Sequence, residues 1–308
     1  MTLPQSLRLL LVALAGFAAA SMSAHAASGT AKAPKHMHWH FAGPFGTFDQ
    51  DALQRGYQVY ETVCAACHGL ELLSFRNLGQ ESGPFYLSEC PASFPDNIDC
   101  SNPNDNPVVK AIAANYRFQV QDGPDDTGEM FTRPALPSDR FPDPFANDQI
   151  ARLANNNALP PDLSLMTKAR HHGVDYMYSL LTGYVDPPDT VEVSPGQYYN
   201  PYYAGDMSSA LKPEYVDEEG LPLEGVEVPY GGVLAMAPPL LDGIVAYEDG
   251  SPETVEQYAK DVTEFLTWAA EPKMEERKSL GVITMIYLVI LAGLSYWSYR
   301  QIWSNVPH

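Results

Sequence analysis

The stretch Cys64-Ala65-Ala66-Cys67-His68 decides the fold class, because C-x-x-C-H is the attachment pattern of a c-type haem. Each thiol forms a thioether with one vinyl group of the porphyrin, and the histidine then lies under the iron as its proximal ligand. A redox dithiol needs no histidine at that position, and a zinc site would need a second ligand pair at similar spacing, which we do not find. We therefore interpret Cys64, Cys67 and His68 as the attachment site of one haem c.

The first 26 residues have the pattern of a cleaved secretory signal peptide. Arg8 supplies the positive start, residues 9–20 are apolar, and Ala24-His25-Ala26 matches a cleavage site. A first membrane span is the alternative, but the apolar run is too short for one. The signal agrees with the haem motif, because covalent haem attachment takes place on the far side of the membrane.

The charge of the chain is strongly negative. Its 18 basic and 38 acidic residues give −20, and removal of residues 1–26, with one arginine and no acid, gives −21. This charge argues against nucleic acid as a partner. It favours a basic protein partner, attracted over a distance, although a solvated acidic surface that only aids solubility explains it equally well. The acids concentrate at 122–129, 217–227 and 248–256.

The two remaining cysteines, Cys90 and Cys100, lie in a Pro-, Asn- and Asp-rich stretch over 89–107 that we interpret as a surface insertion. In an oxidising compartment such a pair is expected to form a local disulfide. Two free thiols are the alternative.

Helix signals recur along the chain. Asp49 is a good N-cap for a helix that leads into Cys64, and Asn106-Pro107 predicts a second helix start. Apolar spacing predicts further helices over 174–182 and from Ser251. Residues 185–237 are irregular, with a short hairpin near 226–234. Gly56 inside the first helix predicts a close helix crossing.

The C-terminal segment 280–299 carries no charge over twenty residues, which is enough to cross a bilayer. Tyr296, Trp297, Tyr299 and Trp303 suit the interface at its far end. A buried core helix is the alternative. The flanking charges do not orient the span, but the signal and the haem place residues 27–275 outside the cytoplasm.

The second axial ligand decides between an electron carrier and an open-site haem enzyme. A thioether stabilises ferrous iron and raises the potential. The methionines outside the signal and the span are Met37, Met130, Met166, Met177, Met207, Met236 and Met274. Met236 is the leading candidate, because small neighbours and Pro238-Pro239 give a close, stiff loop. His171 and His172 remain rivals for bis-His ligation.

Several motifs occur together in one order: Arg55-Gly-Tyr-Gln-Val-Tyr60, Gln121-Asp-Gly-Pro124, Gly128-Glu-Met-Phe131, Asn155 to Ser164, Tyr178 to Tyr184, Asn200-Pro-Tyr202, Met236-Ala-Pro-Pro239 and Trp268-Ala-Ala-Glu-Pro272. With them the chain resembles the cytochrome c1 family, the c-haem subunit of the ubiquinol–cytochrome c oxidoreductase. The resemblance covers nearly all of the mature chain. The insertion with Cys90 and Cys100 is more like that of bacterial members.

The resemblance implies a mainly α fold, a cytochrome c-type haem domain with long irregular insertions and one C-terminal transmembrane helix. It implies that the helix before the haem crosses the C-terminal helix of the domain, with Gly56 and Tyr57 facing Phe265 and Trp268. It assigns the sixth iron ligand to Met236, so that His68 and Met236 bind the metal. It also gives haem-pocket roles to a further set of residues, namely Asn155, Ala158, Pro160, Pro161, Arg170, Tyr176 and Leu180. Arg170 would pair with a haem propionate.

The function implied is that of a one-electron carrier between a Rieske iron–sulphur protein and a soluble cytochrome c, with cytochrome b against the anchor. The chain would be the electron-transfer subunit of a larger enzyme, dimeric as a complex, with no substrate-turnover site of its own. It would lie in the bacterial inner membrane, with a periplasmic haem domain at 27–275, an anchor at 276–300 in membrane lipid and a cytoplasmic tail at 301–308. The alternatives are a tethered mono-haem cytochrome that serves a terminal oxidase, and an open-site haem peroxidase.

Overall fold

A computed structural model of the chain describes residues 31–95 and 98–304, which form two compact units. The first, the motif unit, comprises 34–95, 98–182 and 235–304. The second, the insertion unit, comprises 31–33 and 183–234. The predicted signal peptide and the last four residues of the tail lie outside the described residues.

The motif unit is mainly helical, as predicted. Its helices are α1 Gln50–Thr62, α2 Pro107–Ala114, α3 Asp148–Ala154, α4 Met166–Ala169, α5 Gly173–Leu181, α6 Val255–Ala270 and α7 Met274–Trp303. Short 3-10 turns occupy Cys64–Ala66 and Phe75–Gly79. A small antiparallel pair joins β1 Val120–Asp122 to β2 Phe131–Arg133. Long irregular segments connect these elements.

Side-chain caps explain where the first two helices begin. The Asp49 carboxylate accepts hydrogen bonds from the N–H groups of Asp51 at 3.1 Å and Ala52 at 3.5 Å. Asn106 accepts from the two N–H groups behind Pro107, at 3.0 and 3.3 Å. Each cap satisfies donors that the first helical turn leaves open. Both predicted helix starts are confirmed.

The start of α6 was predicted wrongly. The helix begins at Val255 with Thr254 as its N-cap, and not at Ser251. The Val255 N–H donates to the Asp242 carboxylate at 2.8 Å, and the Glu253 side chain accepts from the Tyr247 N–H at 3.0 Å. The Glu253 side chain and the Val255 N–H are therefore bonded to the preceding loop, so the helix begins only at Val255.

The core of the motif unit lies where α1 crosses α6. Its largest fully buried side chains include Tyr60, Phe75, Tyr258, Phe265 and Trp268. Burying one large apolar side chain contributes about 1.5–3 kcal/mol. The 3-10 turn of the haem motif contributes fully buried Ala65 to the same cluster, so the motif is fixed to the core.

The insertion unit is built around a strand pair that joins distant segments. β3 Tyr198–Asn200 pairs antiparallel with β4 Gly232–Leu234, so the hairpin predicted near 226–234 is wrong. Tyr199 also donates its hydroxyl to the Tyr230 carbonyl at 2.6 Å. Behind the pair lies a small apolar cluster of Val191, Tyr199, Met207 and Leu211.

Cys90 and Cys100 form a disulfide in the surface insertion, with their Cα atoms 5.1 Å apart. The predicted pairing is therefore confirmed. The bridge joins two cysteines that are ten positions apart, in a segment that contributes few core side chains. Asp96 and Asn97 within it lie outside the described residues.

The last helix, α7, is the membrane anchor. It is 30 residues long, or about 45 Å at 1.5 Å per residue. Its most apolar 18-residue window has a mean hydropathy of 2.0, and none of that window is buried within the protein. An apolar helical window that is not buried by any of the described residues is expected to lie in lipid.

Candidate functional site

The haem motif sits in a tight turn directly after α1. Helix α1 ends at Thr62, and the Cys64 carbonyl then accepts hydrogen bonds from the N–H groups of Cys67 at 3.1 Å and His68 at 2.9 Å. The thiols of Cys64 and Cys67 are half-buried and are not joined to one another. The turn therefore brings both sulfurs and the imidazole together within five residues.

A close helix crossing holds this turn in place. A Cβ atom added at Gly56 would lie 2.2 Å from the Asp261 carbonyl oxygen and 2.6 Å from the Phe265 Cβ. The ring of Phe265 lies 5.7 Å from Tyr57 and 5.8 Å from Tyr60, between centroids. The predicted close approach at Gly56 is confirmed.

A buried ion pair fastens the same crossing. Arg55 donates to both oxygens of Asp261, at 3.0 and 3.2 Å, and to exposed Asp249 at 2.7 Å. The Asp261 carboxylate is buried and also accepts from the Tyr247 hydroxyl at 3.0 Å and the Gln257 amide at 3.0 Å. Its charge is thus fully compensated, as a buried carboxylate requires. The sequence pattern did not indicate this pair.

The ring of His68 is prepared to bind a metal. Its Nδ1 lies 2.7 Å from the Pro161 carbonyl oxygen. A carbonyl only accepts, so Nδ1 carries the proton and Nε2 keeps a lone pair. Burial lowers the pKa of His68, against the effect of the Pro161 hydrogen bond, which raises it. The neutral imidazole that a metal requires is therefore the favoured form.

Further hydrogen bonds join the segment after the motif to the segment after Pro161. The Leu163 N–H donates to the Gly69 carbonyl at 3.0 Å. The Asp162 carboxylate accepts from the Glu71 N–H at 2.8 Å, and the Ser164 hydroxyl accepts from the Leu72 N–H at 3.1 Å. These contacts fix the position of the Pro161 carbonyl. These roles of Asp162 and Ser164 were not predicted from the sequence, although an Asp two residues before a Ser is a turn signal that could have indicated them.

Comparison with known proteins gives the same assignment. The sequence pattern of the Cytochrome C1 family matches residues 39–306. The chain belongs to the cytochrome c1 family. Cytochrome c1-2, a mitochondrial heme protein of Solanum tuberosum, is 42% identical over 94% of this chain and 92% of its own length. Cytochrome c1 of Blastochloris viridis is 37% identical over 94% and 93%. Cytochrome b/c1 of Bradyrhizobium diazoefficiens is 41% identical over 96% of this chain, which spans 39% of that longer relative.

Members of the cytochrome c1 family carry a covalently bound haem c and transfer electrons as the haem subunit of the bc1 complex. The residues present fit this group, because two unjoined thiols flank a turn that ends in an imidazole with a free Nε2. Burial raises the pKa of the Cys64 thiol to about 12, and neighbouring Cys67 adds to the shift. Redox-active dithiols show the opposite shift, so the dithiol alternative is disfavoured.

The seven candidate methionines lie in different environments. Four belong to the core of the motif unit or pack against it, namely Met37, Met166, Met177 and Met274. Met207 is a core residue of the insertion unit, and Met130 is 55% exposed. Met236 is half-buried in the motif unit and belongs to neither apolar cluster of the described residues. The assignment of Met236 as the sixth iron ligand stays a prediction.

The rival histidines lie at the surface. His171 and His172 are both exposed, on the turn that leads into α5, and their ring centroids are 4.1 Å apart. His172 has a left-handed backbone, with φ at 52°, as the N-cap position of α5. The turn presents both rings to solvent, which disfavours bis-His ligation.

The remaining residues predicted for the haem pocket all lie in the motif unit. Asn155 ends α3, where its amide donates to the Ala151 carbonyl at 2.7 Å and its own carbonyl accepts from the Ala158 N–H at 2.9 Å. Tyr176 and Leu180 share a face of α5, four residues apart, with Tyr176 half-buried against the core. Pro160 is half-buried beside Pro161.

Arg170 is exposed just after α4, and its guanidinium donates to the Ala169 carbonyl at 3.3 Å. It takes part in none of the ion pairs among the described residues. Its predicted pairing with a haem propionate stays a prediction.

Carboxylates crowd the surface beside the motif. Repulsion from Asp143 is the largest of the effects that raise the pKa of Glu71, and burial together with repulsion from Asp162 raises the pKa of Asp143. A Cβ added at Gly69 would lie 2.7 Å from the Asp143 carboxylate. The field next to the motif is therefore strongly negative.

Several acidic residues of the clusters 122–129 and 217–227 form hydrogen bonds or ion pairs within the fold. Asp122 pairs with Arg133, and Asp125 accepts hydrogen bonds from Thr127 and the Glu129 N–H within one turn. Asp217 caps its own turn. The carboxylates in these turns are already engaged within the chain.

Proposed function

We propose that this chain is the one-electron carrier of a quinol–cytochrome c oxidoreductase. It would accept electrons from a Rieske iron–sulphur protein and pass them to a soluble cytochrome c. The observation that carries the proposal is the His68 ring, with Nδ1 bonded to the Pro161 carbonyl and Nε2 left for iron directly behind Cys64 and Cys67. The subunit would turn over no substrate of its own.

The haem, when bound, supplies iron that cycles between the ferric and ferrous states. Cys64 and Cys67 would hold the ring covalently, and His68 would bind the iron on one face. The Pro161 carbonyl orients the imidazole and makes Nε2 a stronger electron donor by accepting a hydrogen bond from Nδ1–H. The segment that carries the Pro161 carbonyl is held by hydrogen bonds of Asp162, Leu163 and Ser164 with residues 69–72. The imidazole ring therefore keeps one orientation in both oxidation states.

Met236 would bind the second face of the iron. A thioether there fills the site, so that small ligands are excluded and the potential is high. The pocket would be completed by Asn155, Ala158, Pro160, Tyr176 and Leu180, with Arg170 at a propionate. These assignments follow the family pattern and the placement of all of these residues in the motif unit.

The proposed topology places residues 27–275 in the periplasm as the haem domain, 276–300 in the inner membrane and 301–308 in the cytoplasm. The signal peptide pattern and the site of haem attachment support this orientation. Cytochrome b would contact the anchor, and the complex would be a dimer. The net charge of −21 for residues 27–308 suits a basic soluble acceptor that is steered by its field.

Replacement of the sixth ligand tests the proposed electron-carrier site. Met236→Leu keeps the volume but removes the sulfur, so we expect the haem potential to fall by more than about 59 mV, a tenfold change in the one-electron equilibrium. We also expect the ferrous variant to bind carbon monoxide. Redox titration of the full-length holoprotein gives the potential, and Met130→Leu is the matched control because Met130 is an exposed methionine.

Two results would contradict the assignment. An unchanged potential and spectrum in Met236→Leu would reject Met236 as a ligand. Carbon monoxide binding by the untreated ferrous wild type would favour the open-site peroxidase instead. Purification of the native assembly in mild detergent then separates the remaining alternatives, because cytochrome b and a Rieske protein co-purify only in the proposed complex and a terminal oxidase co-purifies in the tethered-cytochrome alternative.

A further inference from the structure

A loop at the foot of the anchor has the composition of a membrane contact. We call residues 41–48 the foot loop. Its ends are core aromatics, with Phe41 stacked on Trp39 at 5.5 Å and Phe48 packed against Phe41 at 5.1 Å. Between them the chain has no charged residue, and the side chain of Phe45 at the tip is 80% exposed. The described residues therefore cover only a small part of this large apolar side chain.

Two charged residues of the anchor fasten the foot loop to α7. The Lys278 ammonium donates to the carbonyls of Phe41 at 2.5 Å and Gly46 at 2.8 Å. One turn earlier, Glu275 accepts from the Phe48 N–H at 2.7 Å and from the Ser82 hydroxyl at 2.7 Å. The loop therefore cannot move away from the helix without breaking charge-assisted bonds.

The chain is also folded tightly on itself within the foot loop. A Cβ at Gly46 would lie 2.2 Å from the Ala42 carbonyl oxygen, so the sharp return of the backbone requires glycine there. Gly43 has a left-handed backbone with φ at 76°, which glycine adopts without strain. The tip is thus held in one shape, with Pro44 and Phe45 outermost.

The position of the tip along the anchor sets its depth. Phe45 and Pro44 line a cleft of about 290 Å³. On the side of α7 the cleft is lined by the polar residues Glu275, Lys278 and Ser279 and, further along the anchor, by apolar Val282 and Ile283. Ile283 lies three residues, or about 4.5 Å, beyond Leu280, the first residue of the predicted span 280–299. With 280–299 in the bilayer, Ile283 lies in lipid and Phe45 lies close to the lipid surface.

We propose that the foot loop is a second membrane contact of this chain. Phe45 would enter the outer leaflet beside the anchor, and phospholipid acyl chains would fill the cleft that it forms with Val282 and Ile283. The proposal rests on the membrane anchor and not on the electron-transfer function. Together with the anchor, this second contact would fix the angle between the motif unit and the bilayer.

The backbone of the loop limits how deep it lies. Irregular backbone exposed to hydrocarbon is not tolerated, because its polar groups would lack partners. A loop at the boundary of headgroups and acyl chains keeps its backbone hydrated while an apolar side chain reaches about 5–10 Å inward. Lys278, with its charge at the same level, is typical of residues that flank a span.

Spin labelling of the complete complex in lipid nanodiscs tests the proposal. With the haem attached, all four native cysteines of this chain are occupied, so Phe45→Cys introduces its one labelling site. Labelled wild-type complex gives the background from other subunits. Ile290→Cys, seven residues beyond Ile283 on the same helical face, is the lipid reference, and Ala114→Cys, exposed at the end of α2, is the water reference. Power saturation then measures collisions with oxygen, which concentrates in lipid, and with a water-soluble nickel chelate.

We expect the oxygen-to-nickel collision ratio at Phe45→Cys to lie above that of Ala114→Cys and below that of Ile290→Cys, because Ile290 is about 15 Å beyond Leu280 and therefore deeper in the bilayer than the tip. A ratio equal to that of Ala114→Cys would place the tip in water and overturn the proposal. Low collision rates with both reagents, together with an immobilised spectrum, would show that a partner subunit covers the tip, and would also overturn it. Because Phe45 is 80% exposed, its replacement is not expected to impair folding.

Discussion

Substitution of Gly56 by alanine is expected to separate the two helices that position the haem motif. The new methyl group would lie 2.2 Å from the Asp261 carbonyl oxygen and 2.6 Å from the Phe265 Cβ. Neither atom can rotate away, because one is backbone and the other is the first atom of its side chain. Overpacking of this kind costs about 1–3 kcal/mol, and we take the upper value because the clash is with backbone. Alanine regains about 1 kcal/mol through its better helix propensity.

The net loss is therefore about 2 kcal/mol, which corresponds to a midpoint lower by about 4–8 °C for a domain of this size. Thermal unfolding of the full-length holoprotein in detergent, followed by circular dichroism, measures it, and the haem content reports on folding. Gly281→Ala is the matched control, since Gly281 is also helical but a Cβ there meets nothing within 4 Å. A midpoint of Gly56→Ala at or above that of the wild type would refute the argument from close approach.

Two further changes probe buried charge. Arg55→Met leaves the Asp261 carboxylate, 1% exposed, without its cation, so we expect a loss of about 3–5 kcal/mol in the free energy of unfolding by urea. Burial raises the pKa of Glu264. At pH values between the ordinary carboxyl pKa and this raised value, the folded protein holds a proton that the unfolded chain has released. The free energy of unfolding therefore falls as the pH rises through this range. Glu264→Gln keeps an oxygen for the Asp49 N–H, bonded at 3.1 Å, and is expected to remove this fall, which urea unfolding at pH 4 and pH 7 measures.

Each of these changes has a matched control. Asp249→Asn removes the exposed partner of Arg55 and is expected to cost much less stability than Arg55→Met. An equal cost for Arg55→Met would show that burial of Asp261 does not matter. Glu256→Gln, at an exposed site of the same helix, is expected to leave the pH dependence unchanged. If Glu264→Gln and the wild type differ in the free energy of unfolding by the same amount at pH 4 and at pH 7, the raised pKa of Glu264 is refuted.

Features with a local cause were predictable from the sequence. Asp49 and Asn106 cap helices through their own side chains, and the apolar composition of 280–299 alone requires a lipid environment. The need for glycine at residue 56 indicated a close crossing before its partner was known. Features that depend on distant segments were missed, such as the pairing of β4 with β3 and the delayed start of α6.

The sequence by itself determined the chemistry of the site, because two thiols and an imidazole within five residues have one common use at that spacing. It also determined the anchor and the order of the family motifs. Only the tertiary structure decided which tautomer His68 adopts, since the Pro161 carbonyl that accepts the hydrogen bond from Nδ1–H lies 93 positions away in the chain. The tertiary structure likewise placed Phe45 beside Ile283, because the contacts of Lys278 with the foot loop join segments 232 or more residues apart. Composition and spacing indicate the local structure that a segment can form by itself. The tautomer of His68 and the position of Phe45 depend on residues that are brought close only by folding.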